Sequence, residues 1–177
     1  MSIIINEDGL FDEDINERNS KVRALLIDDN NNVLIANYGD VLLLPGGSID
    51  EGESIEEALI RELNEELGVD YTMDELSYLN TTEFYQREYP KRDGSIKNRL
   101  ITTHFYTGMY KGINKQSLTE KEKKDGFKLE LIPMDKVKEI LNNHISTNLR
   151  DYFFKRELLV IMNYYSRKNK DKSLKKD

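Results

Sequence analysis

The chain has 177 residues, no cysteine, 33% charged residues and a formal net charge of -7. That length fits one domain with a substantial core, and the acidic balance lends nothing to nucleic-acid binding, which rewards a basic stripe. Disulfides, thiolate metal sites and a cysteine nucleophile are excluded, while small anionic substrates remain compatible if a metal supplies positive charge.

The opening MSIIINEDGL lacks the basic start and long apolar run of a signal peptide, and no stretch is long and apolar enough for a membrane span. The expected location is cytoplasmic, with neither nucleic acid nor membrane as partner. Residues 1–20 join Ile3, Ile4 and Ile5 to an acidic run through Glu7, Asp8, Asp12, Glu13, Asp14 and Glu17. They read as an edge strand or a solvated acidic arm ahead of one domain over residues 21–166. Residues 21–27 (KVRALLI) and 33–38 (VLIANY) have strand character, and the turn-rich 28–32 between them predicts a hairpin. Residues 41–44 form a third short strand, which Pro45 stops, so a turn is expected from Gly46.

Ser54 followed by Glu57 is a capping box that predicts a helix over residues 55–67, with Gly68 ending it. Leu59, Leu63 and Leu67, with Ile60, make an apolar stripe suited to packing on a sheet. Glu62, Glu65 and Glu66 stand at i, i+3, i+4 and cluster on an adjoining face, where like charges weaken an isolated helix by a few tenths of a kcal/mol per pair. A bound Mg2+ or Mn2+ would reverse that penalty, and Arg61 could hold one glutamate in a bidentate pair. On charge alone, a solvated acidic helix face is the better explanation of the run.

Gly47, Glu53, Arg61, Glu62, Leu63, Glu65, Glu66, Gly68 and Val69 together stand at the spacing of the Nudix box. The chain therefore resembles a Nudix hydrolase. That resemblance implies an α/β fold, a Nudix-type alpha-beta-alpha sandwich with a mixed sheet, over about residues 21–141. It implies hydrolysis of a diphosphate linkage in a nucleoside diphosphate derivative, with Mg2+ (or Mn2+) as cofactor. Glu62, Glu65 and Glu66 would be metal ligands, with Glu53 and the Gly46 backbone adding contacts. Glu62 would also serve as base, Arg61 would orient carboxylates, and Gly47 would help bind phosphate.

Residues 71–75 are polar, and two long strand-like stretches follow, 76–89 and 98–110, joined by a loop carrying Asp93-Gly94. Most of the aromatics Phe84, Tyr85, Tyr89, Phe105, Tyr106 and Tyr110 are expected in cross-strand packing. Tyr85, near a marker position of family subgroups, is the candidate for contact with a nucleobase. Lys91, Arg92 and Lys97 read as a solvated hairpin tip. His104 and His144 have no metal-ligand spacing. Residues 111–126 form a long polar loop, and in relatives a carboxylate there adds a metal contact or acts as base. Glu120, Glu122 and Asp125 are the candidates, with no spacing rule to choose among them. Residues 127–132 return to strand, 133–141 suggest a short helix, and a last helix is expected over 149–165, capped by Ser146 or Thr147. This helix could cover the sheet or pair with a second copy in a homodimer. The lysine-rich 167–177 reads as a disordered tail.

Three other readings stay open at this level. One is a non-catalytic Nudix-fold sensor that binds a nucleotide. The second is an isoprenoid diphosphate isomerase, whose relatives use a cysteine absent here. The third is an acidic helix with no ligand, which predicts no cation-dependent change in stability.

Overall fold

The computed structural model describes residues 1–174, with side-chain surroundings through residue 170. β1 (Ile3–Ile5), β2 (Glu17–Ile27), β3 (Asn32–Tyr38), β4 (Val41–Leu43) and β5 (Gly46–Ser48) precede α1 (Ile55–Leu67). β6 (Leu76–Pro90), β7 (Ile96–Met109), α2 (Glu120–Lys124), β8 (Lys128–Pro133), α3 (Val137–Asn143) and α4 (Asp151–Leu174) follow. The strands form one eight-stranded sheet in the order β1-β6-β7-β2-β3-β4, with β5 added to β2 and β8 to β3. It is mixed: β1 lies parallel to β6 and β2 parallel to β7, while the other pairs are antiparallel.

Alternation along the central strands sends apolar side chains to both faces, which is why KVRALLI is nearly continuous in its hydrophobicity. Val22, Ala24, Leu26 and Leu34 meet Leu59, Leu63 and Leu67 of α1 on one side. Leu25, Val33 and Ile35 meet Val137 and Leu141 of α3 and Leu158, Ile161 and Met162 of α4 on the other. The result is the expected mixed α/β sandwich, with helices on both faces. No helix among the described residues is long and apolar enough to cross a membrane.

α1 begins and ends where its sequence dictates. Ser54 accepts from the Glu57 N–H at 3.2 Å and Glu57 accepts from the Ser54 N–H at 2.8 Å. At the other end Gly68 adopts φ +66 and donates its N–H to the Asn64 carbonyl, a left-handed cap that side chains resist. Leu63 is fully buried in the α1 layer. Leu63→Ala is expected to cost about 3 kcal/mol, read as a lower urea midpoint at unchanged slope.

Several boundaries differ from the sequence reading. In the N-terminal segment Ile3–Ile5 is the edge strand that was one of its two readings, paired with β6, but the chain after it is docked and not a solvated arm: Leu10 is buried, and β2 starts at Glu17, alongside Arg99 of β7. These are long-range contacts, which local acidity conceals. The turn expected from Gly46 is instead a short strand on β2. The loop at 111–126 contains α2, whose start carries a capping box of Thr119 and Glu122. Asn148, and neither Ser146 nor Thr147, accepts the Arg150 N–H before α4, at 3.1 Å. α4 continues through Leu174 where a disordered tail was expected from residue 167; residues 175–177 lie outside the described residues.

Candidate active site

The site is built where β5, α1 and the loop around α2 meet. On α1, Glu62 and Glu66 are one turn apart and both buried, Glu66 completely. Across from them the loop after β7 is tied to the C-terminal end of α1, whose last carbonyls would otherwise lack partners. Asn114 N–H donates to the Leu67 carbonyl at 2.7 Å, Ser117 N–H to that of Glu65 at 2.8 Å, and the Gln116 side chain to that of Glu66 at 2.6 Å. This docking delivers Glu122, and one oxygen each of Glu62, Glu66 and Glu122 lie within 4.8 Å of one another.

Each carboxylate is held differently. Glu66 accepts the Gly46 N–H at 2.9 Å and the Tyr38 hydroxyl. Burial pushes its pKa up to about 8, against the opposing pull of the Gly46 N–H and the charge of Arg23. Burial also raises Glu62, partly offset by Arg61, whose Nη1 donates to it at 2.9 Å. Arg61 in turn is clamped by Glu53, with Nε at 2.7 Å and Nη2 at 2.9 Å from the two carboxylate oxygens. The Arg61 hydrogen bonds hold Glu53 down at about 2. Glu53 thus grips the arginine that orients Glu62 and stands outside the carboxylate trio. Glu65 also stands apart from the trio, 3.6 Å from Arg61. The Gly46 carbonyl lies 3.3 Å from Nη1 of buried Arg23, and its N–H is already given to Glu66.

The glycines before α1 are required by space. A Cβ on Gly46, at φ +129, would lie 2.2 Å from the Val22 carbonyl oxygen. On Gly47 it would meet the Glu62 carboxylate at 2.1 Å. The two positions therefore predict different failures. Gly46→Ala should lower the melting temperature, because backbone has to move and the conformation itself costs about 1–3 kcal/mol. Gly47→Ala should leave the melting temperature near wild type yet reduce kcat about a hundredfold, because the displaced atoms belong to Glu62.

Of these groups, Tyr38, Gly46, Gly47, Glu62 and Glu122 line a cleft of about 600 Å³. Lys21, Arg23, Lys91, Arg92, Arg99, Lys121 and Arg150 line it too, a concentration of positive charge in an acidic chain. Tyr89 and Asp125 are among its other lining residues. Of the late-loop candidates, Glu122 joins the trio and Asp125 pairs with Arg92, whereas exposed Glu120 pairs with Lys123 and does not line the cleft. Tyr85 does not line it either: it alternates with Phe84 and Gln86, and Tyr89 takes the place at the cleft after an irregularity in β6. Lys91 and Arg92, expected at a solvated tip, line the cleft, and neither histidine does. Tyr38, Lys21 and Arg99 went unnoticed in the sequence. Arg23 carried a signal, a charge in the middle of an apolar strand.

The NUDIX domain profile matches residues 17–152. The chain belongs to the Nudix hydrolase family. An 8-oxo-dGTP diphosphatase of Proteus vulgaris is 33% identical over 85 residues, covering 45% of this chain and 71% of that protein. Among solved structures, a MutT protein from Methanosarcina mazei Go1 aligns with TM-score 0.56 at 15% identity, covering 86% of this chain and 96% of that one. The Nudix domain of Shewanella oneidensis NrtR, solved with ADP ribose, aligns with TM-score 0.55 at 18% identity, covering 90% and 94%. These two likenesses establish the Nudix fold.

The donor set of this Nudix chain suits a hard divalent cation: carboxylate oxygens, with no thiolate and no histidine in the cluster. A fully buried carboxylate whose pKa is driven up by desolvation, facing two others, is a site that a cation would relieve.

Proposed function

We propose that this Nudix chain hydrolyses a diphosphate linkage in a nucleoside diphosphate derivative with the help of Mg2+ or Mn2+. The observation that carries the reading is the convergence of Glu62, Glu66 and Glu122, two of which line a cleft shared with arginines and lysines. Held by these three, with Glu65 nearby as a further carboxylate, the cation would neutralise phosphate oxygens and make a nearby water more acidic. The chain's own residues do the rest. Glu66 anchors the cluster from inside, fixed by Gly46 and Tyr38. Glu62, at the cleft and oriented by Arg61, takes the proton from the attacking water. The cleft cations hold the phosphates against mutual repulsion, and Gly47 lets the chain pass close to the reacting end.

8-oxo-dGTP, which the Proteus vulgaris relative is named for, and ADP-ribose, bound in the Shewanella oneidensis structure, head the panel to be tried, with dinucleoside polyphosphates and nucleotide sugars beside them. Each is incubated with Mg2+ or Mn2+ and phosphate products are measured for wild type and a Glu65→Gln, Glu66→Gln variant. Metal-dependent cleavage that the variant loses supports the hydrolase. Tight binding of one compound without cleavage of any refutes it in favour of a nucleotide sensor.

A further inference from the structure

Carboxylates line the cleft too, Asp50, Asp93 and Asp125 besides Glu62 and Glu122, but the positive side chains that the sheet contributes are laid out in a row. Lys21 and Arg23 stand two apart on β2 and so point to the same face of the sheet. Arg99, on neighbouring β7, shares that face, because β2 and β7 pair in register with Lys21 opposite Thr103 and Glu17 opposite Arg99. Arg23 is level with Gly46, beside the glutamates. Arg99 is level with Glu17, a run of β2 that spans about 20 Å of backbone from Arg23. Lys21 lies between them, its Nζ 3.2 Å from the Ser48 hydroxyl.

Neutralisation along the row is uneven. Lys91 is paired with Glu17 and Arg92 with Asp125. Arg23 donates to the Leu44 carbonyl at 2.7 Å. Among the described residues, Lys21, Arg99, Lys121 and Arg150 form no ion pair. Glu157 of α4 is the carboxylate whose field reaches Lys21, Arg23 and Arg99 together, and it accepts a hydrogen bond from Thr82 at 2.6 Å. The surplus is visible at Lys21, where burial first and then Arg23 and Arg99 lower the pKa to about 8.

Arg99 is also pre-set in orientation. Its guanidinium lies 3.2 Å from the centroid of the Tyr89 ring, and its Nε donates to Gln86 at 2.6 Å. A planar fork held by one face and one corner, with an unpaired charge in a cleft, matches the bidentate geometry of a phosphate.

We propose that Lys21 and Arg99 bind a phosphate group lying beyond the cleaved diphosphate, so that this chain prefers substrates carrying such a group. The inference rests on the proposed diphosphate hydrolysis. Two sources share this chemistry, a longer polyphosphate chain and a separate monophosphate elsewhere on the nucleotide.

Matched pairs separate them: ADP against ATP, and ADP-ribose against its 2′-phosphorylated form, each with Mg2+. Wild type should favour the phosphate-richer member of at least one pair by roughly tenfold in kcat/KM, carried mainly by KM. The responding pair identifies the source. Lys21→Met and Arg99→Gln should each collapse that preference towards one, and Arg99→Lys should recover only part of it, since lysine keeps the charge and loses the fork. A merely structural role for Arg99 would lower the melting temperature and depress both members equally, leaving the ratio intact. Should Arg99→Gln not fold, Lys21→Met makes the same test. Equal wild-type rates within both pairs, or an unchanged preference in the variants, overturn this inference while the hydrolase stands. Cleavage of no compound overturns the hydrolase, and this inference with it.

Discussion

Glu62→Gln should lower kcat roughly a thousandfold while changing KM far less. The Glu62 carboxylate lines the cleft, lies among the carboxylate trio, and is aimed by Arg61 at 2.9 Å. An amide of the same shape can still accept from Arg61, so the fold and the cleft wall are preserved. It can neither take a proton from water nor contribute negative charge to a cation. The effect therefore falls on the chemical step, and steady-state kinetics against the substrate found in the panel will show it as a loss in kcat. A fall in KM affinity at unchanged kcat would instead make Glu62 a binding group and move the base to Glu122.

The second large effect concerns stability, pH and metal together. With chelator present, stability should fall as pH rises from about 4.5 to about 8, the interval between the ordinary value of Glu66 and its value in the fold. The sign follows from proton counting. Across that interval the folded chain keeps a proton on Glu66 that the unfolded chain releases, so unfolding becomes easier with rising pH. The full loss amounts to about 5 kcal/mol. Saturating Mg2+ or Mn2+ should flatten this dependence, since a cation takes over the role of the proton and binds only the folded state. Glu66→Gln should remove both the slope and the metal response, because an amide mimics the protonated acid and offers no charge. Calorimetric melting at several pH values, with chelator and with metal, reads all of this. A pH-independent melting temperature with chelator would mean that Glu66 is ionised in its pocket without help.

Much of this molecule is legible locally. α1 matches the residues expected from Ser54, Glu57 and Gly68, since a capping box and a left-handed glycine are interactions within a few residues of chain. The long hairpin of β6 and β7 was readable for the same reason, as two extended runs around Asp93-Gly94. The family itself could be read from the box, because its glycines, arginine and glutamates occupy one continuous stretch.

What local pattern could not carry was partnership across the chain. Glu122 was one of three equivalent carboxylates until the loop docked on the end of α1 and brought it to Glu62 and Glu66. Glu53, spaced like a ligand, turned out to grip Arg61, and Tyr38 reached Glu66 from a strand with no marker on it. The row of Lys21, Arg23 and Arg99 exists only because β2 and β7, some eighty residues apart, pair in parallel. Sequence alone determined the family and the box helix, because short-range spacing dictates helix faces and caps. Tertiary structure alone decided which carboxylates meet and where the cleft's positive charge lies, because burial and register join segments that nothing in their local sequence relates.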